Sequence, residues 1–186
     1  GDGRAYHAVK NFVQNNDMRK TENYIYVTER INVTSLFDWY ICRTYLGDRD
    51  TANIRRLRSD EGDNLWHWAF FDMGWSFKKH SVEGIVDLKG GDYILIQAVL
   101  ESEAGQDAFL KRCAYLMRTT LNEAHIMDVI DSIYNDIKSE MPRDRERWNL
   151  SYSAWEKQVE GLRKFVRDEA RTKAMLKNLK SYFSLT

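Results

Sequence analysis

Proline is nearly missing. One residue, Pro142, serves all 186 positions, which excludes a chain of broken, extended segments and favours long helices. Cysteine is almost as scarce. Cys42 and Cys113 are too few for a disulfide framework. Neither stands in a Cys-x-x-Cys or Cys/His spacing, so the usual zinc sites are excluded. There is no excess of charge: 28 basic side chains balance 28 acidic ones. A general electrostatic pull toward nucleic acid or a membrane surface is therefore absent. No apolar run approaches the length that crosses a bilayer. G-x-S-x-G, G-x-x-x-x-G-K and G-x-G-x-x-G do not occur. What the chain does have is apolar mass, 43% hydrophobic and 13% aromatic residues, enough for a core and too much for disorder.

Tyr6, Val9, Phe12 and Val13 recur at helical spacing and predict a short helix closed by Asn15-Asn16-Asp17. A second short helix is expected to hold Tyr24, Val27 and Ile31. Thr34 or Ser35 reads as the N-cap of a third, with Asp38 supplying negative charge in its first turn. Leu36, Trp39, Tyr40, Cys42, Arg43 and Leu46 follow on it, and Gly47 stops it. The run 54–58, the turn formers 59–64 and the run 65–71 predict a β-hairpin. On it Trp66, Trp68, Phe70 and Asp72 would share one face. Residues 78–92 read as an exposed loop. The remainder is helical. Phe109, Cys113, Leu116 and Met117 form one stripe, and Asn122 caps a helix with Ile126, Ile130, Ile133 and Ile137 inward. Residues 143–147 read as a solvated turn. Ser153 and Glu156 suggest a capping box before the stripe Trp155, Val159, Leu162 and Val166, which Leu176, Leu179 and Phe183 continue. The expected fold is one mainly α domain with a small β-hairpin over residues 1–186.

One acidic constellation stands out. Asp48, Asp50 and Asn53 precede the first strand, and Asp72 follows the second. A hairpin brings those ends together, so Asp50, Asn53 and Asp72 can converge. Such hard oxygen donors suit Mg²⁺, and a carboxylate held clear of the ion can take a proton from a hydroxyl. The plainer reading is that these residues cap turns. Both readings stay open at this point. His67 is either an acid–base group or a half-buried side chain among aromatics. Arg55, Arg56 and Arg58 either hold phosphates or point outward from a strand.

Three stretches point further. Residues 31–40 with 45–55 (INVTSLFDWY, YLGDRDTANIR) are similar to a helix that leads into a G-N-x-D-x-x-N-type loop and a strand. Residues 66–77 (WHWAFFDMGWSF) are similar to a W-x-W…D-x-D-W-x-F strand and metal loop. Segments 109–112, 140–143, 147–148, 155–165 and 182–183 match a set of C-terminal helices. In this order they resemble the spore coat protein H (CotH) kinase family of atypical protein kinases.

The resemblance implies a kinase-like C-terminal lobe. It implies Asp50 as the catalytic Asp that orients the acceptor hydroxyl and takes its proton. It gives Asn53 and Asp72 to Mg²⁺, and Mg-ATP as the phosphoryl source. The acceptor would be a Ser or Thr of a coat or surface protein, with no nucleic acid partner. The location would be extracytoplasmic, on the cell surface or in the spore coat. A sheet-rich nucleotide lobe does not fit ahead of the first matching helix, so the chain is expected to be the catalytic and metal-loop half of a longer protein. Two positions depart from the family: Gly74 replaces a second acid, and Asp48 stands where Asn is common. The alternative is an inactive, pseudokinase-type binding or assembly module whose Asp72-Met73-Gly74 loop does not chelate.

Overall fold

Helices α1 (Arg4–Asn15), α2 (Thr21–Thr28) and α3 (Val33–Leu46) open the chain in a computed structural model that describes residues 3–48, 50, 53–77 and 93–185. The loop expected over 78–92, with His80, lies outside the described residues, as do Arg49, Thr51 and Ala52 of the acidic loop. The third helix is the axis of the core. Leu36, Phe37, Trp39, Tyr40, Ile41, Cys42, Arg43 and Tyr45 are all buried on it. A helix covered all round needs apolar residues on every face, which is what its sequence supplies.

The start of α3 differs from the sequence expectation. Its N-cap is Asn32, whose side-chain oxygen accepts the Ser35 N–H at 2.8 Å. The Ser35 hydroxyl is used elsewhere: it accepts the Trp68 N–H at 2.9 Å and donates to the Trp68 carbonyl at 3.3 Å. Asp38 faces Arg112 rather than the helix terminus. Ile31 is not part of α2 either. It forms a parallel bridge with Trp66, in which the Asn32 N–H donates to the Trp66 carbonyl and the Trp66 N–H to the Arg30 carbonyl.

Strands β1 (Arg55–Leu57) and β2 (His67–Ala69) pair antiparallel, with Arg55 opposite Ala69, Arg56 opposite Trp68 and Leu57 opposite His67. The hairpin exists, but its strands are shorter than the runs that suggested them. Alternation therefore holds for Trp66 and Trp68, which both pack edge-on against Tyr6 of α1 at 5.3 and 6.4 Å. It does not reach Phe70 or Asp72, which lie past the end of β2.

Helices α4 (Tyr93–Glu101), α5 (Glu103–Arg118), α6 (Glu123–Ile137), α7 (Met141–Arg147), α8 (Tyr152–Val166) and α9 (Glu169–Tyr182) complete the architecture. The α4–α5 junction is tight: a Cβ on Gly105 would lie 2.0 Å from the Val99 carbonyl oxygen. Asn122 caps α6 as expected, accepting the His125 N–H at 2.9 Å. Ile126 and Ile130 of α6 are buried, but Ile133 and Ile137 are 56% and 40% exposed. The second half of α6 packs on α8 through a different side, where Tyr134 stacks on Trp155 and Arg163 pairs with Asp131. Residues 143–147 are helical rather than a turn, since Pro142 sits in the first turn of α7, where a missing N–H costs nothing. The cap of α8 is Ser151, which accepts the Ala154 N–H, and Ser153 lies inside the helix. Met175, not Leu176, joins Leu179 on the buried side of α9.

Candidate functional site

The end of α3 builds the site. Gly47 adopts the left-handed conformation at φ 71°, where a glycine pays no steric cost. Its N–H reaches the Thr44 carbonyl, and the Asp48 N–H reaches back to the Arg43 carbonyl at 2.9 Å. This closure satisfies the last helical carbonyls and drops Asp48 into the interior. Asp48 is only 1% exposed. A carboxylate there faces the negative end of the helix, and Arg43 offsets it at 2.8 Å, itself buried over the Trp39 ring. The remaining donors to Asp48 come from both functional loops. The Asp50 N–H donates to Oδ1 at 2.9 Å, and the Ser76 hydroxyl to Oδ2 at 3.3 Å. Arg43 also donates to the Asp50 carbonyl. One buried ion pair thus fixes the backbone of the acidic loop and the turn after Asp72.

That turn is pinned at both ends. Asp72 and Phe77 hold positive φ angles of 51° and 61°, which only a well-anchored loop sustains. The Ser76 N–H closes on the Met73 carbonyl at 3.0 Å, and the Phe77 N–H donates to the Leu46 carbonyl of α3 at 2.8 Å.

The three residues singled out from the sequence meet here. The Asn53 side-chain amide donates to Oδ2 of Asp50 and to Oδ2 of Asp72, each at 2.9 Å. Two like-charged carboxylates share this space because an amide with two N–H groups stands between them. Asp50 and Asn53 are half-buried and Asp72 is exposed, so the cluster opens to solvent on one side. Among the described residues no group of three or more His, Cys, Asp and Glu side chains is placed to hold a metal. The donor set is two carboxylates and one amide, whose oxygen is presented by turning the group over. That number and hardness fit Mg²⁺, which takes few protein ligands and keeps waters and phosphate oxygens. At Gly74 an added Cβ would sit 3.8 Å from Asp72 Oδ1, so position 74 points toward the same carboxylate.

The other candidates fall away from this point. His67 turns to Asp63 in the hairpin turn, with Nε2 2.9 Å from a carboxylate oxygen. The Asp63 carboxyl is held below its usual range first by the Leu65 N–H and then by His67. Cys42 and Cys113 are buried in the core, as their stripes implied. Arg43 and Ser76 were not anticipated. A charged residue on the apolar stripe of α3, five residues before an Asp, was the available signal.

These features define a helical protein with an acidic cluster at the open end of a short hairpin. Comparison with known sequences supplies the family. The chain belongs to the CotH kinase protein family, whose model matches residues 1–173 of the 186. The matched region covers the cluster and all of α1 to α8, and stops short of Tyr182 and Phe183. Membership gives the chain a kinase-related role. No curated protein and no solved structure matches it.

Proposed function

We propose that the chain carries the catalytic and metal-binding residues of a Mg-ATP-dependent protein kinase acting on a Ser or Thr of a coat or surface protein. The observation that carries this reading is the single amide of Asn53 joined to the carboxylates of Asp50 and Asp72 at 2.9 Å each. Asp50 holds the acceptor hydroxyl and takes its proton. Its backbone is locked by Asp48 and Arg43, so the carboxylate is positioned before the acceptor arrives. Asp72 and Asn53 hold the cation. Bound Mg-ATP supplies the phosphoryl group and neutralises the charge that develops on it. The residues of this chain do no covalent chemistry; they place groups and fix charges.

Family membership and the convergence of the three side chains support this reading. The test is transfer of labelled phosphate from Mg-ATP, either to the protein itself or to a phosphoacceptor such as casein. Wild type is expected to transfer. Asp50→Asn and Asp72→Asn are expected to lose activity by roughly a hundredfold or more, the usual scale for removing a general base or a charge-stabilising group. Asn is the better replacement at 72, because it tolerates the left-handed backbone there whereas Ala does not. Calorimetric Mg²⁺ titration should show a larger loss of affinity for Asp72→Asn than for Asp50→Asn.

Gly74 favours a second reading, a binding module of the same fold that does not chelate. In that case a folded wild-type protein would show neither transfer nor Mg-ATP binding.

A further inference from the structure

The last four carbonyls of a helix have no partner within it, and at the end of α3 each has found a donor. Two are met by the chain turning back, with Gly47 donating to Thr44 and Asp48 to Arg43. Leu46 accepts the N–H of Phe77, in the turn after Asp72, at 2.8 Å. Tyr45 accepts from the side chain of Arg171, in the first turn of α9 and 126 positions away. Arg171 is 7% exposed and lies on the buried stripe that Met175 and Leu179 continue. Its guanidinium also lies over the Phe165 ring of α8, 3.9 Å from the ring centre. Phe165 in turn packs edge-on against Phe77 at 5.2 Å. These contacts form a closed circuit: Tyr45, Arg171, Phe165, Phe77, Leu46 and back along α3.

We propose that Arg171 is a positioning residue of the acidic cluster, holding from α9 the end of α3 and, through Phe165, the turn that follows Asp72. An apolar side chain would fill a place on that stripe without burying a charge. A guanidinium does there what no apolar group can. Its edge donates to a carbonyl at the negative end of a helix while its face lies on an aromatic ring. Lysine cannot do both, since an ammonium has no flat face. Both ends of the circuit sit close to the chemistry. Tyr45 stands three residues before Asp48, whose carboxylate accepts the Asp50 N–H. Phe77 stands five residues after Asp72, and both hold positive φ angles. Arg171 thus acts on the acidic loop through the backbone of α3 and on the Asp72 turn through Phe77. The inference rests on the roles proposed for Asp50 and Asp72, while the link itself can be read without phosphoryl transfer.

The experiment compares wild type with Arg171→Lys, and with Ile130→Val in the buried side of α6 as a core variant outside the circuit. Hydrogen exchange is followed by mass spectrometry, and phosphate transfer from Mg-ATP is followed over a range of acceptor concentrations. Arg171→Lys should speed exchange about tenfold at residues 46–48 and 73–77 and leave α5 protected, a local opening of the two loops. It should lower kcat about tenfold and keep the KM for the acceptor, because misplaced groups lose rate and not acceptor binding. Ile130→Val should change neither. Phe165→Leu spares the Tyr45 contact and should speed exchange at 73–77 alone; it carries the test if Arg171→Lys does not fold. Wild-type exchange in both loops, uniform loosening of every helix, or the same pattern in Ile130→Val overturns the proposal. Loosened loops in Arg171→Lys together with no transfer by wild type support the link and remove the kinase reading. Transfer with an undiminished kcat in Arg171→Lys keeps the kinase reading and overturns the positioning role.

Discussion

Asp48 shows how much a single residue's surroundings matter. By sequence it is one more acid of the loop before the first strand, at a position where the resembled family commonly has Asn. In the structure it is buried and already committed to Arg43, the Asp50 N–H and Ser76. Removing one member of a buried ion pair strands the other charge, so Asp48→Ala is expected to cost about 3–5 kcal/mol. Urea denaturation reads that loss directly. Asp50→Ala, at a half-buried loop position, should cost far less by the same measurement. Gly74 presents the opposite case. A Cβ there would lie 3.8 Å from Asp72 Oδ1, an ordinary van der Waals contact, so Gly74→Asp should fold normally and add a third carboxylate. Calorimetry is expected to show Mg²⁺ bound roughly tenfold more tightly, about 1.4 kcal/mol. An unchanged affinity would place the cation away from position 74.

At the level of elements, the hairpin is too short to stand alone, since two strands of three residues are marginal in water. Its supports are Tyr6 beneath Trp66 and Trp68, the bridge from Ile31, and the paired hydrogen bonds of Ser35. The last of these attaches β2 to α3, the same helix whose far end holds Asp48. Strand β2 and the two loops of the site are thus referred to one rigid rod. Ser35→Ala leaves the Trp68 N–H without its partner and is expected to destabilise by about 1–3 kcal/mol. Amide exchange should quicken at residues 66–69 while the protection of α5 and α8 is kept. Uniform loosening of the whole chain would show instead that Ser35 holds the core and not the hairpin.

Across the whole molecule, the core sets the response to alkali. Burial pushes the Cys42 thiol up to about 12 and Cys113 up to about 11, from 9.0. Burial likewise raises the Tyr24 and Tyr45 hydroxyls. In the unfolded chain these thiols ionise near pH 9, so above that pH the unfolded state binds fewer protons than the folded one. Stability is therefore complete below pH 9 and falls as pH rises toward 11, by about 1 kcal/mol per thiol at pH 10. Urea midpoints at pH 8 and pH 10 measure the fall, and Cys42→Ala with Cys113→Ala should flatten it. The native thiols should also resist iodoacetamide at pH 8, because thiolate is the reactive form.

Local pattern determined a good deal of this protein. It placed the helix ending at Gly47, the cap at Asn122, the buried cysteines, the hairpin, and the family to which residues 1–173 belong. These features rest on spacing, backbone freedom and turn chemistry, which act within a few residues. Helix faces were less legible: Ile133, Ile137 and Leu176 repeat at core spacing yet remain exposed, because what covers a face is set by a neighbouring helix. Caps were displaced for a related reason. Ser35 was taken by a strand 33 residues away, which left Asn32 to cap α3. The hairpin pattern already brought Asp50, Asn53 and Asp72 to one end; the sharing of a single Asn53 amide by the two carboxylates, and the choice of Asp48 as buried anchor, were decided only by tertiary structure. Nothing in the spacing separates those carboxylates. The difference lies in which one falls behind the end of α3, where only a charge paired with Arg43 can be held out of water.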